Sequence, residues 1–388
     1  MQPFYLPTEV VTGCGCLSQL GKVAARYGKR AMIVCGTGFV RRTGLLDRVV
    51  KLLKQGKLQA TVFDRVTGEA ELPVVEAGIA LARKEACQVF VGLGGGSAMD
   101  TAKAIAGLVG LPGSVWEYHG GRKLEGPGHP FLAVPTTAGT GAEVTKNAVL
   151  IDPKQGVKKS IRDNGWFART ALVDPELTVT MPPQVTASTG SDALCQAIES
   201  FTSLGAGPVT DALARRAIEL IGRSLLSAYR SGDDLAAREN MSMASLMAGM
   251  AMASARLGAV HGIAHPLGSH YRIPHGVVCG LLLPHVMEYN LASEVDPPGE
   301  LIRKYAQVAA LLGETTQQLA PEAAARRAVG RVEELLAQVR IPTHLSEFGV
   351  AREGFDLIIE ESLPSGSFKH NPSPLGAQDV RNILERAL

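Results

Sequence analysis

The chain has 388 residues, of which 46% are hydrophobic and 20% charged, and its formal net charge at pH 7 is +2. This composition is typical of globular proteins, and the length favours two domains over one. A net charge so close to zero argues against a polyanionic partner, so we expect no nucleic-acid binding.

The cysteines and the N-terminal residues both indicate a cytoplasmic protein. None of the six cysteines forms a CxxC pair or a zinc-finger spacing, so we expect reduced and mostly structural thiols. There is no basic lead-in before Lys22 and no long apolar region, so no secretory signal is predicted. The most apolar stretch, residues 245–260, is interrupted by Arg256 and is too short to span a bilayer. We therefore expect no membrane association.

Residues 30–174 alternate short apolar runs with amphipathic stretches. AMIVCG, QATVFDRV, VFVGL, FLAVP and TALV are typical of strands, and LLDRVVKLLKQ between the first two is typical of a helix. Strands that alternate with helices form βαβ units, which build a parallel sheet. We therefore predict a Rossmann-like α/β domain over residues 1–178.

Beyond Pro182 the pattern changes to long helical stretches. Strand-like runs become scarce, and ALCQAIESFTS, DALARRAIELIGRSLLSAY and LAARENMSMASLMAGMAMASARL have the apolar spacing of helices. We place the domain boundary between Leu177 and Pro183. An all-helical second domain is predicted over residues 179–388.

A glycine-rich turn joins the third predicted strand to a helix. Gly94, Gly95, Gly96 and Ser97 follow VFVGL and precede MDTAKAIAGLV. Glycine lets the backbone approach a phosphate closely, and the free N–H groups of a helix start attract an anion. A turn that only packs a helix against a sheet has the same pattern, so this motif alone leaves both interpretations open.

A second glycine-hinged loop, PTTAGTGAEVT, follows the next predicted strand. Its hydroxyls on Thr136, Thr137 and Thr140 suit a pyrophosphate and a ribose, although a capped helix entry would look similar. Two such loops at the ends of successive strands predict one dinucleotide crevice. Lys158 and Lys159 follow on a predicted turn, where they either reach a ribose or phosphate oxygen or form a solvated pair.

Candidate metal ligands lie on predicted helices of the second domain. Asp192 and Gln196 are one turn apart on one face, although a first-turn aspartate commonly interacts with the helix dipole instead. Four of the nine histidines lie in one short window: His261, His265, His270 and His275. His261 and His265 share a helical face, and His275 follows a proline turn. One carboxylate and two imidazoles suit a divalent transition metal.

Together these motifs resemble those of the iron-containing, or group III, alcohol dehydrogenases. The shared segments are GGGSAMDTAKAIA, PTTAGTGAEVT, GSDAL followed by AIE, and HGIAHPLGSHYRIPHG, with NPSPLGAQDV near the end. The resemblance extends over essentially the whole chain. It implies the dehydroquinate synthase-like fold of that family, with a dinucleotide-binding domain followed by a helical metal- and substrate-binding domain.

The resemblance also implies roles for individual residues. The family's metal ligands correspond to Asp192, His261 and His275, and His265 corresponds to the histidine beside the nicotinamide and the substrate. The residues that we assign to the cofactor site on this basis are Gly95, Gly96, Ser97, Asp100, Thr136, Thr137, Thr140 and Lys159.

One departure from the family concerns Gln196, which stands where the iron enzymes have a histidine. An amide oxygen is a weaker donor than an imidazole, yet Asp192, His261 and His275 still leave the open position that catalytic zinc sites need. Metal dependence is therefore expected, with Gln196 as a candidate fourth ligand. The ion is either Fe²⁺ or Zn²⁺.

Gly36 bears on the choice between NAD and NADP. The family's NAD-preferring members carry an aspartate after the first strand, whereas this chain has Gly36. Without that carboxylate a 2′-phosphate is not repelled, and Arg41 or Arg42 could pair with it. We therefore expect NADP rather than NAD, with Gly36 and Arg41 at the cofactor site.

These features predict an NAD(P)-linked alcohol dehydrogenase or aldehyde reductase acting on a small alcohol or aldehyde. One alternative is a dehydroquinate synthase-type lyase, which would need a basic pocket, but only Arg256 and Arg272 lie near the histidines. Another is a nucleotide-binding sensor with a decayed metal site. The resemblance also implies a homodimer in which an N-terminal strand near residues 4–11 pairs across subunits.

Overall fold

The computed structural model describes residues 3–293 and 299–388, which form two compact units. The first, here called the α/β unit, comprises Leu6–Thr137 and Ala142–Thr178. The second, the helical unit, comprises residues 3–5, Ala138–Gly141 and the described part of Val179–Leu388.

The α/β unit is built on a parallel sheet. Its strands are β1 (Glu9–Thr12), β2 (Arg30–Gly36), β3 (Gln59–Val66), β4 (Val89–Gly94), β5 (Phe131–Pro135), β6 (Asn147–Asp152), β7 (Val157–Arg162) and β8 (Thr170–Val173). Six of them pair in parallel in the order β1-β8-β5-β4-β2-β3, while β6 and β7 form an antiparallel hairpin. Every residue of β4 and β5 is buried, as expected for central strands covered on both faces. The predicted fold class of this half is confirmed.

Six helices accompany the sheet. They are α1 (Leu20–Ala24), α2 (Phe39–Arg42), α3 (Leu45–Gln55), α4 (Leu72–Lys84), α5 (Gly96–Leu108) and α6 (Val115–His119). Of these, α5 packs at very close range on β4, because a Cβ placed on Gly92 would lie 3.2 Å from the Cβ of Ala102. The start of α5, where the first glycine motif lies, is therefore held tightly against the centre of the sheet.

The carboxyl ends of β2, β4 and β5 lie side by side at one edge of the sheet. Cys35 of β2 pairs with Leu93 of β4, and Gly94 pairs with Pro135 of β5. The chain continues from β2 outward to β3 and then returns to β4 on the other side of β2, so the direction of winding changes between β2 and β4. Open α/β sheets bind ligands at such a switch point.

One local expectation is wrong. Lys158 and Lys159 do not lie on a turn, because they are in β7, where Lys159 pairs with Leu150 of β6. The two segments, NAVLID and VKKSIR, show little alternation of apolar and polar residues, so the sequence pattern alone did not reveal the hairpin. The N-terminal strand expected near residues 4–11 spans Glu9–Thr12 and pairs with β8 of the same chain, and its pairing across subunits stays a prediction.

The helical unit contains nine helices among its described residues. They are α7 (Pro183–Thr202), α8 (Pro208–Arg230), α9 (Leu235–Ala255), α10 (Ala259–Tyr271), α11 (His275–Ala292), α12 (Glu300–Leu311), α13 (Pro321–Gln338), α14 (Phe355–Ser362) and α15 (Ala377–Ala387). Pro183, Pro208 and Pro321 occupy the first positions of their helices, where the missing N–H removes no intrahelical hydrogen bond. The predicted all-helical half is confirmed.

The helix α7 is central to this unit, since it packs against α8, α9 and α11 and is buried along most of its length. Sharp breaks separate the helices that follow: α9 ends at Ala255, before Arg256 with φ 71°, and α10 ends before Arg272 with φ 54°. Within the described ranges no single helix is long and apolar enough to cross a membrane, and α9 and α10 meet that criterion only as a pair bent by 106°.

Candidate functional site

The two glycine loops of the α/β unit touch each other at the ends of β4 and β5. The N–H of Thr136 donates to the carbonyl of Gly94 over 2.9 Å. A Cβ placed on Gly95 would lie 3.3 Å from both Cγ2 and Oγ1 of Thr137. Gly94 has φ 150°, a conformation that favours glycine. The structure thus brings the predicted glycine and hydroxyl loops together.

The start of α5 offers backbone donors beside these loops. Gly96 is the first residue of this 13-residue helix and Ser97 the second, and Gly95 precedes them in an extended conformation. Gly95 makes no side-chain cap to the helix, so the first-turn N–H groups are left for a ligand or water. This arrangement is typical of a phosphate-binding helix terminus.

Asp100 lies one turn further along α5, and its carboxylate is engaged inside the α/β unit. Its Oδ2 accepts a hydrogen bond from the N–H of Val149 over 3.0 Å, and Lys103 Nζ lies 3.8 Å from Oδ1. Burial raises the pKa of Asp100 to about 6, against the lowering effects of Lys103 and the Val149 N–H. These contacts tie α5 to β6, and the assignment of Asp100 to the cofactor site remains a prediction.

The other predicted cofactor residues lie in different parts of the chain. Gly36 ends β2 at the same sheet edge as Gly94. Arg41 forms an ion pair with Asp64 of β3, and about half of its side chain is exposed. Lys159 is exposed on β7. Thr140 belongs to the Ala138–Gly141 segment, which groups with the helical unit.

In the helical unit, one face of α7 carries four buried polar or thiol side chains. Asp192, Cys195, Gln196 and Glu199 are spaced i, i+3, i+4 and i+7, which is one stripe of a helix. Each of them is at most 5% exposed. Such a polar stripe inside a hydrophobic core is costly unless it binds something, so it marks a functional site.

Three helices converge on the carboxylate of Asp192. Its Oδ1 lies 3.4 Å from Nε2 of His261 on α10 and 3.7 Å from Nε2 of His275 on α11. Asp192 Oδ1, Gln196 Oε1 and His261 Nε2 are all buried, and none has a hydrogen-bond partner within the described part of the chain. Buried polar atoms are normally satisfied, and the Asp192 and His261 atoms lie side by side, so this donor set fits a metal ion.

His265 and His270 have different surroundings. The ring of His265 stacks on that of His275, with centroids 5.5 Å apart and an interplanar angle of 23°. His265 is half-buried and lies on the α10 face that also carries His261. His270, by contrast, pairs with Glu361 over 3.0 Å at the surface. His265 therefore borders the cluster and His270 does not.

Glu199 is a site residue that the sequence interpretation missed. Its Oε2 lies 2.5 Å from Nδ1 of His261, and its Oε1 accepts the N–H of Val260 over 2.7 Å. A carboxylate accepts hydrogen bonds, so His261 donates through Nδ1 and keeps the lone pair of Nε2 towards Asp192. The signal was present in the sequence, because Glu199 is one helical turn beyond Gln196 on the same face.

Two of the six cysteines also belong to this cluster, and the sequence interpretation assigned neither of them to the site. Cys279 Sγ lies 3.6 Å from His275 Nε2, and Cys195 Sγ lies 3.8 Å from His261 Nδ1. Burial raises the pKa of Cys279, but a hydrogen bond from Cys195 and the charges of His275 and His261 outweigh it, so this pKa lies well below its usual range. Burial raises the pKa of Cys195 well above its usual range.

The electrostatic field of the cluster attracts positive charge. Burial by itself lowers the pKa of His261, but Cys279, Glu199 and Asp192 together raise this pKa well above its ordinary value. The pKa of His275 is raised too, since Cys279 and Asp192 outweigh the effect of its burial. The surroundings thus favour a cation at this point, whether it is a proton or a metal ion.

Comparison with known proteins adds a second line of evidence. Residues 7–175 match the family model described as "Iron-containing alcohol dehydrogenase", and residues 186–388 match "Fe-containing alcohol dehydrogenase family, C-terminal". The chain is 35% identical over 388 residues to the NAD-dependent methanol dehydrogenase of Bacillus methanolicus, covering all of both chains.

Two further similarities concern 1,3-propanediol. The chain is 38% identical over 389 residues to the 1,3-propanediol dehydrogenase of Klebsiella pneumoniae, covering 100% of this chain and 99% of that one. A crystal structure of 1,3-propanediol oxidoreductase superposes with a TM-score of 0.95 at 36% identity, covering all of both chains.

Proposed function

Because the chain belongs to the iron-containing alcohol dehydrogenase family over both family domains, we propose that it transfers a hydride between a small alcohol or aldehyde and NAD(P), with a divalent metal held by Asp192, His261 and His275. It is an oxidoreductase acting on CH–OH groups. The observation that carries the site assignment is the convergence of one carboxylate and two imidazoles within 4.8 Å.

The similarity to dehydrogenases over the full length favours this function over a dehydroquinate synthase-type lyase. The structure disfavours a sensor with a decayed metal site. The Asp192, His261 and His275 ligand atoms still lie together, and those of Asp192 and His261 have no hydrogen-bond partner among the described residues. Gln196 provides another such atom, and its neutral amide oxygen is a candidate weak donor beside Asp192.

The residues of the cluster prepare the substrate oxygen for reaction. A divalent ion held there supplies a Lewis acid that stabilises negative charge on that oxygen. Asp192 and His261 are each 2% exposed, so little water reaches them and electrostatic interactions with their charged and polar atoms are stronger than in bulk water. Glu199 holds the His261 ring with Nε2 directed to the same point.

His265 is the proposed proton carrier. Its half-buried ring stacks on the ring of His275. The His265 imidazole therefore lies next to the cluster but is not one of the proposed metal ligands. An imidazole can take the hydroxyl proton during alcohol oxidation and return it during aldehyde reduction, through the cofactor ribose or a water.

The cofactor is proposed to bind on the α/β unit. The nicotinamide accepts or supplies the hydride. Gly95, Gly96 and Ser97 offer backbone N–H groups for the pyrophosphate, and Thr136 and Thr137 offer hydroxyls beside them. The proposed assignment of Asp100, Thr140 and Lys159 to the same site rests on the family resemblance.

We propose NADP as the preferred cofactor, because no carboxylate at the end of β2 would repel its 2′-phosphate. Gly36 leaves room for a 2′-phosphate, and Arg41 and Arg42 follow it on α2. The methanol dehydrogenase relative is NAD-dependent, so the preference expected here is a difference within the family. We also propose that the protein is a homodimer, as the resemblance implies, and that it is located in the cytoplasm.

The metal assignment is tested with four histidine variants of the full-length protein. His261→Ala and His275→Ala are expected to lose bound metal and to lower turnover by about a thousandfold or more. His265→Ala should keep the metal and lower turnover by about 100-fold, since it removes only proton transfer. Metal content by mass spectrometry and steady-state rates with an alcohol and aldehyde panel give both readouts.

His270→Ala is the matched control, because His270 is on the same helix but pairs with Glu361 at the surface. It should retain metal and activity. A His275→Ala protein with full metal content and full activity would falsify the proposed site.

A further inference from the structure

Cys279 lies on the same face of α11 as His275, one turn later, and is completely buried. Its Sγ and the ligand atoms of Asp192, His261 and His275 all lie within 4.8 Å of one another. Three different helices thus present four donor atoms to one point. The carboxylate and His261 atoms there have no hydrogen-bond partner among the residues described.

The spacing of these atoms is that of ligands around a single tetrahedral ion. Bonds of about 2.0–2.1 Å to nitrogen or oxygen and about 2.3 Å to sulfur place tetrahedral ligands roughly 3.3–3.6 Å apart. The observed separations from Asp192 Oδ1 are 3.4 Å to His261 Nε2 and 3.7 Å to His275 Nε2. Cys279 Sγ is 3.6 Å from His275 Nε2. The sulfur therefore occupies a ligand position.

The neighbouring Cys195 supports this arrangement from the other side. Its Sγ is near Nδ1 of His261, the ring nitrogen that faces Glu199 rather than the convergence point. Its thiol hydrogen-bonds the sulfur of Cys279. Cys195 thus serves as a donor behind the ligand shell, as groups around metal-bound sulfur commonly do.

We propose that Cys279 is a metal ligand of this enzyme and that, with Asp192, His261 and His275, it makes the site selective for zinc over iron. The inference rests on the metal site of the proposed function. Soft thiolate sulfur favours zinc, and binding displaces the thiol proton to solvent. Catalytic zinc sites can expand to five ligands, so four protein donors leave room for a substrate oxygen.

Cobalt substitution of the full-length protein tests the ligand directly. Metal-free wild-type protein, Cys279→Ser and Cys195→Ser are each loaded with Co²⁺, and bound cobalt is quantified alongside the absorption spectrum. Wild type and Cys195→Ser should show a sulfur-to-cobalt charge-transfer band in the near ultraviolet, and Cys279→Ser should lack it. When zinc and ferrous iron compete at equal concentrations, the ratio of bound iron to bound zinc should rise at least about tenfold in Cys279→Ser and should not change in Cys195→Ser.

The outcomes separate this proposal from the one it rests on. Stoichiometric cobalt in wild type without a sulfur band, or a band that persists in Cys279→Ser, overturns the role of Cys279 and leaves the metal site standing. Failure of wild type to bind either cobalt or zinc overturns both proposals.

Should Cys279→Ser fail to fold, zinc-edge X-ray absorption of the wild-type holoenzyme decides without any variant. One sulfur neighbour at about 2.3 Å from zinc supports the ligand, and a shell of nitrogen and oxygen alone overturns it.

Discussion

The glycine loops of the α/β unit and the donor cluster of the helical unit contrast in how they are encoded. The loops use backbone groups from two short segments, each contiguous in sequence and located at a strand end. The cluster uses side chains from α7, α10 and α11, which are far apart along the chain. A site made of backbone groups depends on residues small enough for a ligand to approach the backbone. A site made of side chains depends on how helices that are distant in sequence pack against each other.

This contrast predicts that substitutions in the cluster change metal binding without altering cofactor affinity. The largest effect outside the converging donors themselves is expected at Glu199. In Glu199→Gln the amide has one oxygen for two donors, the Val260 N–H and the His261 Nδ1–H. An amide N–H towards Nδ1 would shift the imidazole proton to Nε2, which blocks the metal-facing lone pair.

We therefore expect Glu199→Gln to weaken metal affinity by about 10–100-fold, measured by competition with a chelator. The KM for the cofactor should not change, and metal-free protein should lose less stability than the metal-loaded form. Glu361→Gln is the matched control, because it removes a carboxylate partner from the surface residue His270. Equal metal affinity in Glu199→Gln and wild type would contradict the positioning role.

A substitution in the glycine loops should have the opposite result: weaker cofactor binding and unchanged metal binding. Gly95→Ala places a methyl group 3.3 Å from Thr137, so the loops must shift slightly and the added Cβ narrows the approach of a phosphate. We expect the KM for the cofactor to rise about tenfold, or about 1.4 kcal/mol.

Metal content should remain at the wild-type level in Gly95→Ala. Gly330→Ala in α13 is a suitable control, since a Cβ there meets no atom within 4 Å and should leave both readouts unchanged. A parallel loss of metal in Gly95→Ala would show that the two sites are not independent in the way proposed here.

The smallest expected effect concerns selectivity inside the cofactor site. Gly36→Asp adds a carboxylate at the end of β2, and its Cβ would meet only Val66 O at 3.4 Å, so the fold should accept it. Repulsion of the 2′-phosphate should shift the ratio of kcat/KM for NADP over NAD towards NAD by about tenfold. An unchanged ratio would remove the argument for NADP.

Arg41 sharpens this selectivity test. Its guanidinium pairs with Asp64, so part of its charge is already compensated. The Asp64→Asn variant should release Arg41 from this ion pair and raise the ratio of kcat/KM for NADP over NAD. Its effect should therefore be opposite in direction to that of Gly36→Asp.

Much of the fold was predictable because its signals are local. The apolar runs of β2, β4 and β5, the glycines before α5 and the change to helical periodicity beyond Pro182 all lie within short windows. The hairpin of β6 and β7 was missed, since its strands alternate weakly and are short.

The candidate site was predictable in part. Asp192, His261 and His275 were found as residue types in a pattern, and the structure brings them together. Glu199, Cys195 and Cys279 were not. Their helical spacing from Asp192 and His275 is visible in the sequence, but spacing alone does not say which other helix that face meets. Only the packing of α7 against α10 and α11 gives those three side chains a shared neighbourhood.

The sequence by itself determined the family, the order of an α/β half and a helical half, and the histidines and aspartate that could hold an ion. Tertiary structure alone decided which nitrogen of His261 faces Asp192, which carboxylate orients that ring, and that a thiol lies beside His275. Helical periodicity assigns a residue to a face, but the distance between two faces is set by how side chains interlock in the core.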